Sequence, residues 1–348
     1  VCIWYADYGY HFLPAVGDWG IKGPVAVVCD LFLMDVVSLG ELLIDFTNVS
    51  ADADGYPTMA AHPGGAGTNF LAAVSKYGGK CALMGKVGGD AFGRLLLNTL
   101  EKAGIETKGM LVDENVFTTL AFVTLDEHGD REFSFARKPG ADTMLRPDEL
   151  DLALLEEARV FHFGTLSMTH EGVRAATLKA VETAKKGGAL ISFDPNLRPP
   201  LWRDLEEARE QIAFGMRWCD VMKISDNEIQ WFTGKEDFDE GIRILQDTYH
   251  IPLILLSLGR DGSRAYYRGM KVEAKPFLQE NTIETTGAGD TFFGSVLHHI
   301  LTKGFRPYTK EELDEMLRFA NAAAALVTTR RGALRVMPSE EEIAEVLK

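Results

Sequence analysis

The stretch Glu284–Ser295, ETTGAGDTFFGS, sets Gly287, Ala288 and Gly289 directly before an acid, Asp290. Phe292, Phe293, Val296 and Leu297 then follow at helical spacing, so the small residues fall where a helix begins. A helix start offers unpaired N–H groups and the positive end of the macrodipole, which suits it to a phosphate or a developing oxyanion. Residues without bulky side chains let an anion come close to that backbone. A carboxylate placed there is repelled by the same anion unless it has a task. Accepting the proton of a hydroxyl as it attacks phosphorus is such a task. Asp290 would be the general base, and the amides of Gly287, Ala288 and Gly289 would hold the charge of the moving phosphoryl group. The same letters also describe an acid capping a helix after a tight turn, and alone they leave both readings open.

Two better-known nucleotide motifs are excluded. A Walker loop needs GxxxxGK[ST], and ALMGKVGG has Lys80 where the first glycine should stand. A dinucleotide fingerprint needs GxGxxG after the first strand; that strand runs into GELLID, and GGAGTNF has Phe70 in place of the last glycine.

The elements that must carry such a site alternate along the chain. VVSLGELLIDF, CALMGKVG, RVFHFG, ALISFD, CDVMKIS and PLILLSLG are short apolar runs that read as strands. Between them lie amphipathic helical stretches such as AFGRLLLNTLEKAG, with Phe92, Leu96 and Leu100 on one stripe and Gly104 at its end. This order predicts an α/β fold with a mainly parallel sheet covered on both faces, and ligands beyond the carboxyl ends of the strands. One region breaks the rhythm. TTLAFVTLDEHGDREFSFARKPGAD holds two period-2 runs joined by a turn at His128 and Gly129, with Phe133 and Phe135 on one face. Such a hairpin either covers a hydrophobic edge or serves as a lid.

The bulk numbers fit a globular enzyme and exclude some partners. The chain has 348 residues, 46% hydrophobic and 25% charged, with a formal net charge of −15. Interspersed acids argue against nucleic acid and anionic membrane, which need a basic footprint. No apolar run reaches the about 18–20 residues of a membrane span. Cys2, Cys29, Cys81 and Cys219 are scattered without metal-ligand spacing and read as reduced thiols of a cytoplasmic protein. Residues 1–33 are aromatic-rich and lack the features of a signal peptide. Met34 reads as the natural start and what precedes it as a translated upstream segment, the alternative being a genuine extension packed on the body.

GAGD occurs together with HPGGAGTNF, GKVGGDAFG and FANAAAALVTTRRGA. With these motifs in this order the sequence resembles the ribokinase-like (PfkB) sugar kinases from about residue 35 to the C-terminus. GELLIDF, DPNLRPPLW and KISDNEIQWFTG look most like the fructokinase versions. The resemblance implies a three-layer α/β/α sandwich over residues 34–348 with a small β-sheet lid from segments about 46–62 and 116–137. It implies transfer from Mg·ATP to the primary hydroxyl of fructose, with ribose, 2-keto-3-deoxygluconate or another ketose as alternatives. A sugar-binding homologue without catalysis is the remote alternative. A homodimer through the lid is compatible with the family.

Residue by residue, the resemblance places Asp45 at the end of the first strand, on sugar hydroxyls. Gly64 and Gly65 would bring backbone against the sugar, and Asn69 would bond a hydroxyl, though it also reads as a helix N-cap. Arg137 and Arg198 would reach the substrate or the phosphate. Lys223 and Glu228 match the segment that approaches phosphate and hydrated magnesium. Many members have NxxE there, and this chain has Ser225 in place of the Asn. Ser257, Gly259 and Gly262 match the strand and turn beside the nucleotide, and Asn321 a position near adenine. Glu284 and Thr286 match positions associated with potassium, where the family more often has Asp than Glu at the first.

Overall fold

The computed structural model describes residues 34–125 and 131–348. The segment before Met34, with Cys2 and Cys29, and the expected turn at His128 and Gly129 lie outside the described residues.

The chain opens with β1 (Met34–Leu39), β2 (Leu43–Ala51) and β3 (Pro57–Gly64), then α1 (Ala66–Lys76), β4 (Cys81–Gly88) and α2 (Ala91–Lys102). Next come β5 (Ile105–Glu106), β6 (Met110–Asp113), β7 (Leu120–Leu125) and β8 (Arg131–Ala136). Then α3 (Leu152–Glu156), β9 (Ala158–Gly164), α4 (Glu171–Gly187), β10 (Leu190–Asp194), α5 (Leu205–Trp218) and β11 (Val221–Ser225) alternate. The rest is α6 (Asp226–Thr233), α7 (Phe238–Tyr249), β12 (Leu253–Ser257), β13 (Ser263–Tyr267), β14 (Met270–Ala274), α8 (Ala288–Lys303), α9 (Lys310–Val327) and α10 (Glu340–Leu347).

A main sheet runs β14-β13-β12-β11-β10-β9-β1-β4-β5, with β6 also on β4. From β12 to β5 its pairs are parallel, and β13 and β14 add an antiparallel edge. Period-2 alternation feeds two cores, one on each face. In β12, Leu253 and Leu255 join the core shared with α1, α8 and α9, while Ile254 and Leu256 join the core shared with α4, α5 and α7. This is the three-layer α/β/α arrangement. Phe70 of α1 and Phe293 of α8 meet at 5.5 Å between ring centroids, which locks those two helices together. Burying each such side chain contributes about 1.5–3 kcal/mol.

The second sheet runs β3-β2-β7-β8. VVSLGELLIDF, expected as one strand, is therefore two. Gly40 N–H makes a last bond to Met84 O at 3.1 Å on the main sheet, and Ile44 N–H begins the other sheet on Thr119 O at 3.2 Å. Asp45 thus lies within β2, third residue of a strand in the second sheet, and not at the end of the first strand.

Helix α8 starts where TTGAGD predicts. Its N-cap is Gly287, at a left-handed φ of 78°, and a Cβ there would stand 2.2 Å from Ala333 Cβ. Only glycine satisfies both conditions. Helix α1 starts similarly: Gly65 has φ 127°, and a Cβ there would lie 2.3 Å from Glu41 O. Gly65 is the N-cap of α1, so Asn69 is an interior residue of that helix and not its cap.

Candidate active site

The tips of α1 and α8 face each other beyond the carboxyl ends of β1, β10 and β11, and the inner face of the second sheet covers the gap. The cavity between them has a volume of about 220 Å3. Its floor is Gly65, Asn69, Lys223, Thr286, Gly287, Gly289 and Asp290; its roof is Asp45, Val123, Phe133 and Phe135, with Arg198 on one side. The sequence-level candidates Asp45, Gly65, Asn69, Arg198, Lys223, Thr286, Gly287, Gly289 and Asp290 are therefore brought together.

Asp290 sits in the first turn of α8, and its Oδ2 accepts from Asn69 Nδ2 at 2.9 Å. Burial pushes its carboxyl above the usual range, while the Asn69 bond, Lys223 and Arg198 pull the other way. A raised carboxyl suits a group that must take up a proton. The anion seat differs from expectation in one respect. Ala288 N–H points to Thr285 O at 3.3 Å, so it serves the turn and not an anion. Gly287 and Gly289 N–H have no acceptor among the described residues, and both residues line the cavity.

At the second-sheet end of the cavity, Asp45 is pushed up to about 7 by burial; Arg198 opposes this, and Glu41, Glu284 and Asp290 add to it. Gly64 makes room for that carboxylate, since a Cβ there would lie 2.1 Å from Asp45 Oδ2. Arg198 is held by Leu197 O at 3.2 Å and stands 5.8 Å from the centre of the Phe133 ring. It thereby joins the body to β8. Phe133 and Phe135 stack at 6.3 Å and present the apolar wall predicted from their shared face.

Arg137 is held in a buried ion pair with Asp142. It is 2% exposed and does not line the cavity. Its Nε and one terminal nitrogen bond Asp142 Oδ2 at 2.8 and 2.6 Å, and the remaining donors reach Thr169 Oγ1 and Leu166 O. The pair braces the base of β8 against the body. Asn321 likewise ties down a loop, donating to Ala274 O at 3.3 Å and Lys275 O at 3.0 Å. Polar residues in Ala-rich helices serve packing as readily as binding, and sequence alone does not separate the two.

The remaining candidates lie outside the cavity lining. Glu228 Oε1 accepts from Leu197 N–H at 2.8 Å, and Oε2 from Ser225 N–H and Oγ at 2.8 Å, a capping box on α6. Ser257 ends β12, and Gly259 and Gly262, at φ 54° and 95°, shape the turn into β13. Glu284 Oε2 accepts from Gly332 N–H at 3.3 Å.

Two acids escaped the sequence reading. Glu41 is 4% exposed, lines the cavity, and accepts from Ala66 N–H at 2.7 Å. Burial pushes it up to about 7, against that backbone bond. Asp194 pairs with Lys223. Both stand inside quoted motifs, GELLIDF and DPNLRPPLW; the signal was an acid embedded in an apolar run, which rarely stays buried without a partner.

A family model described as pfkB family carbohydrate kinase matches residues 34–340. The chain is 41% identical over 318 residues to fructokinase-2 of Solanum lycopersicum, covering 90% of this chain and 96% of that one. The structure of a fructokinase with bound ATP from Xylella fastidiosa superposes with a TM-score of 0.82 at 30% identity, covering 90% of this chain and 98% of that one. A fructokinase from Vibrio cholerae O395, in a fructose, ADP and calcium ion bound form, superposes at 0.79 with 28% identity, covering 90% and 99%.

Proposed function

The chain belongs to the pfkB family of carbohydrate kinases, phosphotransferases with an alcohol acceptor, and from that premise we propose that it phosphorylates fructose at its primary hydroxyl, giving fructose 6-phosphate. The observation that carries this reading is Asp290, opening from the tip of α8 onto the cavity that Asp45 and Arg198 line. The transfer is in line: the hydroxyl attacks the γ-phosphorus of ATP, Asp290 takes its proton, and ADP leaves. Gly287 and Gly289 N–H, with Lys223, stabilise the charge on the moving group. Asp45 and Asn69 orient the sugar through its hydroxyls. The second sheet acts as the lid, and Phe133 and Phe135 keep water from the transferring phosphoryl.

Glu41 and Asp45 crowd the sugar end with carboxyl groups, which favours a neutral sugar over a sugar acid. Turnover with ATP over a panel of fructose, ribose, glucose and 2-keto-3-deoxygluconate tests the choice. Fructose is expected to give the highest kcat/KM, and a clear preference for another sugar overturns it.

Among the described residues no group of three His, Cys, Asp or Glu side chains can chelate an ion alone. A magnesium ion would therefore arrive on the ATP phosphates, where it neutralises their charge, with Glu228 holding its hydration shell. Glu228 fits that role through Oε1, which among the described residues accepts from Leu197 N–H alone and keeps a lone pair for water, while Oε2 is taken by Ser225 N–H and Oγ. Ser257, Gly259 and Gly262 would border the nucleotide. Glu284 and Thr286 offer oxygens suited to potassium, so faster turnover in KCl than in NaCl is expected. Among the described residues no helix is long and apolar enough to cross a membrane. The cytoplasm, which supplies ATP, is the proposed setting. Exposed Val49 and Tyr56 on the second sheet and the loop after β2 support pairing of two copies there. A dimer in solution that Tyr56→Glu dissociates would bear this out, and a monomer would reject it.

A further inference from the structure

Lys223 and Asp194 form an ion pair behind the tip of α8, with Nζ 2.8 Å from Oδ2. Lys223 is 6% exposed and Asp194 3%. The two leave neighbouring parallel strands: Asp194 ends β10, and Lys223 is the third residue of β11. The lysine stem lies against the anion seat, since a Cβ added to Gly289 would stand 3.1 Å from Cε and 3.4 Å from Nζ. Among the described residues Asp194 is the hydrogen-bond acceptor of Nζ, which leaves two N–H groups for the cavity. Asp194 itself does not line that cavity. It borders a water-sized chamber of about 10 Å3 behind it, with Glu41, His162 and Asn196.

We propose that Asp194 is a positioning residue for phosphoryl transfer, holding Lys223 protonated and aimed at the anion seat beside Gly289 without touching either substrate. This rests on the carbohydrate-kinase reading above. A buried ammonium without a counter-charge sheds its proton. Lys223 is faced by Asp194 from β10, Glu228 from α6, Asp290 from α8 and neutral His162 from β9. Burial works against its charge, and the three acids outweigh burial, Asp194 first among them. Asp290 becomes neutral when it takes the substrate proton, and Glu228 is engaged by Ser225 and Leu197. The lysine's charge during the transfer therefore depends chiefly on Asp194. The arrangement also accounts for an acid beside a site that must attract phosphate: it sits behind the lysine, on the far side from the ligand.

Steady-state turnover of the wild type, Asp194→Asn, Lys223→Met and the double variant, with Mg·ATP and fructose from about pH 7 to 9, tests this. Asp194→Asn is expected to keep KM for fructose within about threefold and to lose about 10–100-fold in kcat. Its kcat should fall further toward alkaline pH, where the wild type stays level, because the unpaired lysine gives up its proton. On the Lys223→Met background the same change should cost less than about threefold. Wild-type-like kcat in Asp194→Asn at every pH overturns the proposal, as does an equal loss on both backgrounds. If Asp194→Asn does not fold, Asp194→Glu keeps the charge and misplaces it. A kcat loss without the alkaline fall then supports positioning, and full activity rejects it. A wild type inert toward every sugar would instead remove the kinase reading, and this proposal with it.

Discussion

Asn69 and Asp290 are 221 positions apart in the chain, yet Asn69 Nδ2 donates to Asp290 Oδ2 at 2.9 Å. The bond joins the first turns of two helices whose starts are both set by glycine, Gly65 and Gly287. It leaves Asn69 Oδ1 buried and without a partner among the described residues. One side chain thus holds the acid in place and leaves its own carbonyl oxygen unpaired beside it.

If Asp290 is the general base, Asp290→Asn removes the proton acceptor and keeps the shape. kcat should fall by about 100-fold to 10,000-fold. Fructose affinity measured by calorimetry should stay within a few-fold of wild type. Activity within about tenfold of wild type would rule out the assigned role.

Asn69→Ala tests the bond itself. The Asn69 contact lowers the Asp290 pKa against the effect of burial, so its loss moves that pKa further up. Asp290 is then protonated over a wider acid range. The acid limb of kcat/KM should shift to higher pH, with a loss of about tenfold or more near neutrality. A profile of unchanged position with reduced height would assign Asn69 to sugar binding alone.

The sequence made the helix tip legible because its constraints are local. Gly287 must be glycine for its φ and for Ala333, and the apolar spacing after Asp290 fixes the helix. The main sheet was equally legible, since a parallel strand covered on both faces reads as a continuous apolar run. Asp45 was assigned to the wrong strand because the one interruption in VVSLGELLIDF, Gly40-Glu41, is too short to separate two strands by sequence, yet it is where the chain passes between sheets. How Arg137 and Asn321 are held was not legible, because a buried arginine paired with Asp142 and a site arginine have the same letters. Their partners, Asp142 and the Ala274 and Lys275 carbonyls, become neighbours only in the folded chain.

Gly64 lies opposite Leu43 where β2 and β3 pair, and its missing side chain leaves the space that Asp45 occupies. In Gly64→Ala the new methyl would meet Oδ2 at 2.1 Å and Cγ at 3.2 Å, so the Asp45 carboxylate must swing away. KM for fructose should rise about tenfold, with KM for ATP within about twofold. Equal rises in both would place the damage in the fold and not in the sugar contact.

Arg137→Met should behave as a stability variant. Removing the guanidinium leaves Asp142 charged and unpaired beside Thr119, at a cost of about 3–5 kcal/mol. Urea unfolding should show that loss, while KM for fructose in the folded fraction stays within about threefold. A large change in KM at unchanged stability would return Arg137 to the substrate.

Glu41 links the site to the stability of the whole chain. Burial holds its carboxyl up to about 7 in the folded protein, against an ordinary 4.5. Between those values the folded chain keeps a proton that the unfolded chain has released, so stability must fall as pH rises through this window. The contribution reaches about 3 kcal/mol at most. Asp45 acts in the same direction, its carboxyl being held up to about 7. Glu41→Gln keeps an acceptor for Ala66 N–H and removes the titration. Urea midpoints of wild type should therefore drop from about pH 5 to pH 8 more steeply than those of the variant, which should gain relative stability at the alkaline end. Parallel slopes for the two proteins would show that Glu41 is ionised in the folded state throughout, with its charge met by the neighbouring Arg137.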